Sequence, residues 1–191
     1  MHKGRSRREE IYNSITHVLG ALLCVYYFIE SNEATKIICS SMAFTYACSV
    51  IYHFETDVEK KNFYRMLDMI SIAVSTGAVS VAYCLHMGGI FWESILPILL
   101  SASGSQYILC MYGSEKFEKS AVYCFLLVGF GCLLNVLYFS TSYVTSLYFI
   151  FGCLVYLVGL VFYLMDEKPY YHTVWHIFVV LASYIHIVGT I

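Results

Sequence analysis

Seven stretches of about twenty mainly apolar residues, divided by short clusters of charge, run the length of this 191-residue chain. A bilayer's hydrocarbon core needs about 20 such residues per spanning helix. The runs fall at 11–29, 37–54, 69–85, 91–112, 121–139, 143–165 and 173–191, and Glu93 is the only full charge inside them. Segments 55–68, 113–119 and 166–172 hold charges in clusters. Strands of a membrane barrel would be about half as long and would alternate in polarity. The pattern therefore predicts an all-α polytopic membrane protein, a seven-transmembrane-helix bundle forming one domain over residues 1–191. Composition agrees, with 59% hydrophobic and only 13% charged residues, against roughly a quarter charged in soluble domains. A net charge of −2 with no basic stripe excludes nucleic acid as a partner.

Lys3, Arg5, Arg7 and Arg8 precede the first run as they would in a secretory leader. Six further runs and no small-residue cleavage pattern after Ile29 predict a retained first helix instead. Lys60, Lys61, Arg65, Lys116, Lys119 and Lys168 fall on the same side as that basic start, leaving Lys36 alone opposite. Cytoplasmic loops are enriched in Lys and Arg, so the amino terminus is expected inside and the carboxyl terminus outside, in the cell membrane. Eight cysteines without paired close spacing read as small packing residues rather than disulfides or zinc ligands.

Ionisable groups at membrane depth cost about 2.5–3.5 kcal/mol each on insertion scales, so each calls for a partner or a function. His17, His53, Asp68, His172 and His176 all map near the cytoplasmic ends of their helices, whereas His86 and His186 fall toward the other side. His172 and His176, four residues apart, stack on one helical face, a spacing that lets two nitrogens approach one metal. His53 at the same depth makes a three-nitrogen site possible, leaving the fourth tetrahedral position of Zn2+ open to a water of pKa about 7. Asp68 has two readings: a proton acceptor and donor for hydrolysis, or an interfacial charge at a helix start near Arg65. Ser49, one turn before His53, either orients water or a substrate carbonyl, or bonds to its own helix backbone. Asn13, Thr16 and His17 form a polar face on the first helix that braces neighbouring helices or supports a metal ligand from behind.

Glu10-Ile11-Tyr12-Asn13-Ser14-Ile15-Thr16-His17, Ser49-Val50-Ile51-Tyr52-His53, Leu67-Asp68 and His172-x-x-x-His176, in this order, resemble the hemolysin III family. That family groups with the adiponectin and progestin receptors and, more distantly, the alkaline ceramidases. The resemblance implies seven transmembrane helices with a cytoplasmic amino terminus. It also implies zinc on His53, His172 and His176, with Asp68 and Ser49 near the zinc-bound water. Relatives with this site are linked to hydrolysis of lipid amides, which makes a membrane lipid the expected substrate; protein partners are not indicated. Two departures stand out: Thr173 replaces a Glu found in some bacterial relatives, and Met69 and Ile70 follow Asp68 in a third run without proline. Three functions are therefore expected to compete: a zinc-dependent hydrolase of a lipid amide or ester, a sensor with structural zinc, and a membrane-damaging cytolysin. The last is disfavoured by evenly apolar helices.

Overall fold

In the computed structural model, residues 5–89, 91–114 and 116–191 are described, the side chains of Phe91 and Glu118 excepted, so Lys3 lies outside the described residues. Seven helices follow one another: α1 Arg7–Phe28, α2 Glu33–Phe54, α3 Val58–His86, α4 Phe91–Met111, α5 Phe117–Tyr138, α6 Tyr143–Leu164 and α7 Tyr171–Val188. All seven are long and apolar enough to cross a membrane, and no strand occurs among the described residues. Hydrocarbon offers no hydrogen bonds, so each span must satisfy its backbone internally, as a helix does.

Polar side chains close the helix ends. Ser6 and Glu9 form a reciprocal capping box at α1, while Asn32, Asp57 and Ser142 accept from backbone N–H groups at the starts of α2, α3 and α6. In the turn between α2 and α3, the Glu55 carboxylate accepts from the N–H groups of Asp57 at 2.9 Å and Thr56 at 2.7 Å. These bonds hold its pKa below the ordinary value.

The third helix departs most from expectation. Its apolar run begins at Met69, yet α3 starts at Val58 and extends 29 residues, about 43 Å. Hydropathy marks where a helix enters hydrocarbon, not where it begins. The charged segment read as a loop is thus largely helical, and Asp68 sits about three turns inside α3 rather than at its start. Helix α7 starts at Tyr171, two residues earlier than its apolar run, so both His172 and His176 are helical.

Helix α1 packs on α2 and α7, α3 packs on α2, α4 and α5, and α6 packs chiefly on α7. Large apolar side chains such as Leu22, Tyr26, Leu127 and Val144 point outward, as a surface bathed in lipid requires. Many small polar residues point inward, including Ser14, Ser49, Ser71 and Ser80. Such residues let helix backbones approach closely in membranes. Asn135 ties three helices together, donating to the Glu93 carbonyl at 2.9 Å and to Cys84 Sγ at 3.3 Å.

Candidate metal centre

Helices α2 and α7 bring His53, His172 and His176 together at the end of the bundle that carries the amino terminus. One ligand atom from each lies within 4.8 Å of the others, and all three side chains are buried. The ring centroids are 4.7 Å apart for His172 and His176, 4.9 Å for His53 and His176, and 5.3 Å for His53 and His172. The sequence placed these residues at one depth; helix packing turns their rings toward a common point.

Helix α1 fixes the tautomers of two of the three. His53 Nδ1 faces Glu10 Oε2 at 2.5 Å. A carboxylate only accepts, so Nδ1 carries the proton and Nε2 keeps its lone pair. That Nε2 is buried with no hydrogen-bond partner, as a nitrogen set aside for a metal would be. His176 Nδ1 donates to the Asn13 backbone carbonyl at 3.0 Å, which likewise frees its Nε2. Histidine ligands in metal sites generally donate their second N–H in this way. The three imidazoles are thus grouped as metal ligands would be, with the donor nitrogens of His53 and His176 left free and His172 Nδ1 engaged by Arg5.

Asn13, Thr16 and His17 of α1 all face the histidine cluster. Asn13 Oδ1 accepts from Thr173 at 2.6 Å, so Thr173 anchors the residue that orients His176. Thr16 donates to the Asn13 carbonyl at 2.8 Å and lies 3.4 Å from His176 Nδ1. His17 makes no hydrogen bond through either ring nitrogen. Instead it stacks on His176 with centroids 3.8 Å apart and the planes 4° from parallel.

In the sequence Arg5 is one of four basic residues before the first span and Glu10 the first residue of a family motif, and neither has a stated partner. Glu10 lies one residue before the first apolar run, but its spacing with Asn13 and His17 puts all three on one face of α1, a signal that was legible. Its carboxylate bridges His53 and Lys61 Nζ, the latter at 3.1 Å, linking α1, α2 and α3. Arg5 gives no such local signal. Its NH2 group donates to Asp166 Oδ2 at 2.7 Å and to His172 Nδ1 at 3.1 Å, and its NH1 group lies 3.3 Å from the Tyr52 hydroxyl. Burial works against its charge, while Tyr52, Asp166 and Glu10 hold the pKa above its ordinary value.

A cavity of about 440 Å³ opens beside the histidines, within the range of small-ligand sites. Asp68 and Ser49 line its polar end together with His172 and His176. The Ser49 hydroxyl is buried, makes no hydrogen bond among the described residues and lies near the Asp68 carboxyl. It therefore does not bond back to its own helix. The rest of the wall is mainly apolar and reaches Phe149 and His186. Leu126 and Phe130 of α5 and Leu157 of α6 border the cavity and are also exposed on the lipid-facing surface, so it opens sideways between those helices. At the far end, His186 is enclosed by Tyr83, Phe149 and Tyr156, and Gly152 makes room for its ring.

The fold and the histidine cluster thus define a multi-pass integral membrane protein with a buried candidate metal centre at one end of a seven-helix bundle. Residues 5–187 match the Haemolysin-III related family, and the chain belongs to it. Among curated proteins, it is 25% identical to a Hemolysin-3 homolog of Bacillus subtilis (strain 168), covering 92% of this chain and 90% of that protein. It is 24% identical to Hemolysin-3 of Bacillus cereus, covering 92% and 87%.

Proposed function

We propose that this protein is a zinc-dependent hydrolase acting on an amide or ester bond of a membrane lipid. The observation that carries this reading is the cluster of three buried imidazoles, two of which line the polar end of a cavity open to lipid together with Asp68 and Ser49. When bound, zinc supplies Lewis acidity and an acidified water there. His53, His172 and His176 hold it, and Glu10 and the Asn13 carbonyl fix the rings of His53 and His176. Asp68 takes a proton from the attacking water and returns it to the leaving nitrogen or oxygen. Ser49 orients the substrate carbonyl, and the apolar wall holds the acyl chain out of water. Protein loaded with zinc in detergent should release fatty acid from a panel of lipid amides and esters, and His176→Ala should not. Absence of turnover by the wild type on every substrate class refutes the enzyme reading.

A second reading, a membrane sensor with structural zinc, draws on the way the three histidines and their α1 partners tie α1, α2 and α7 into one unit. In that case His53→Ala lowers zinc content and melting temperature together, and no substrate is turned over. Lysis, suggested by the relatives' printed names, is tested by dye leakage from liposomes, and none is expected from a bundle of this kind.

A further inference from the structure

Two of the three histidines present a free nitrogen to a metal, but His172 does not. A guanidinium has donors only, so the 3.1 Å contact from Arg5 NH2 requires His172 Nδ1 to accept. A neutral imidazole whose Nδ1 accepts carries its proton on Nε2 and has no lone pair there. A metal at Nε2 would need the proton moved to Nδ1, where it would point at another donor. A metal at Nδ1 would take the lone pair that Arg5 uses. The Arg5 bond and metal ligation by neutral His172 therefore exclude each other.

Arg5 is also held from outside the cluster. Ser6 and Glu9 cap α1 just after it, and Glu9 Oε1 accepts from the Tyr170 N–H at 2.8 Å. Tyr170 takes a left-handed backbone at φ 61° immediately before α7. The amino-terminal segment is thereby latched to the turn that leads into His172.

We infer that Arg5 is a competitor for the metal built into the chain: its guanidinium and a divalent cation alternate at His172, and Asp166 holds the guanidinium when the cation is bound. Arg5 in this way sets the metal affinity of the site and links its occupancy to the amino-terminal segment. This rests on the metal-site reading of the proposed function but not on any hydrolytic activity.

The test is a zinc titration of the full chain in detergent against a chelator of known affinity. Arg5→Met should bind zinc at least about tenfold more tightly than wild type, the worth of one hydrogen bond to a charged group. A purely structural Arg5 predicts the opposite sign, since its loss would loosen the site. Equal or weaker affinity in Arg5→Met therefore overturns the inference. If the wild type itself binds no zinc, and His172→Ala is no different, the metal-site reading fails instead. Should Arg5→Met fail to fold, Arg5→Ala carries the same expectation of tighter zinc binding, and equal or weaker affinity there overturns the inference.

Discussion

Glu10 is the residue on which the geometry makes the strongest demand. In Glu10→Gln the negative charge goes while the shape stays. The carboxylate bridges His53 Nδ1 and Lys61 Nζ, and the Glu10 and Lys61 side chains are only 8% and 9% exposed. Two charge-assisted hydrogen bonds are weakened, each worth about 1.5–3 kcal/mol, and a nearly buried ammonium loses its counter-charge, a change costing about 3–5 kcal/mol when fully buried. Lys61 also donates to the Glu55 carbonyl at 3.0 Å, which offsets part of this loss. Gln also keeps one acceptor oxygen, so these losses overlap rather than add, and the destabilisation is at most the roughly 3–5 kcal/mol of a stranded buried charge. The charged acceptor that fixes the His53 tautomer becomes at best a neutral amide oxygen, and changes behind a metal ligand typically cost 10- to 100-fold in affinity. Two assays separate the effects: thermal melting in excess chelator reads the packing loss, and zinc competition reads the affinity. Adding Lys61→Met should restore stability by removing the orphaned charge without restoring zinc affinity. If Glu10→Gln binds zinc within twofold of wild type, Glu10 does not orient His53 and the tautomer argument is wrong.

Gly152→Ala should destabilise the bundle by about 1–3 kcal/mol, because a Cβ there meets His186 Cε1 and Nε2 at 2.5 Å; the melting temperature in detergent checks this, and His186→Ala should rescue it. Asp68→Asn should keep full zinc content by metal analysis and lose about 10²- to 10⁴-fold in lipid hydrolysis, whereas a mere interfacial charge would leave turnover unchanged. Zinc should raise the melting temperature of the wild type in proportion to the logarithm of its free concentration, and the rise should vanish in His53→Ala.

Much of the fold was legible because hydropathy and helical period are local properties. The seven spans follow from run length alone, and the pairing of His172 with His176 follows from their spacing. The depth of His53 follows from counting helices. Hydropathy could not find the true start of α3, since helix and hydrocarbon end at different places: Asp57 caps a helix whose first turns lie beyond the apolar run. Glu10 takes its role only in the fold for the same reason, because it stands just outside a span while facing its interior.

The sequence by itself determined that this chain crosses a bilayer seven times and gathers three histidines and an aspartate at one end. A helix in lipid has few choices, and the order of spans fixes which ends lie together. Only the tertiary structure decided how those groups pair. That Glu10 holds His53, that Arg5 reaches across to Asp166 and His172, that Ser49 turns to Asp68, and that the cavity opens between α5 and α6 all depend on the rotation and approach of helices distant in sequence. Those are set by packing among many small and polar side chains, and no local pattern encodes them.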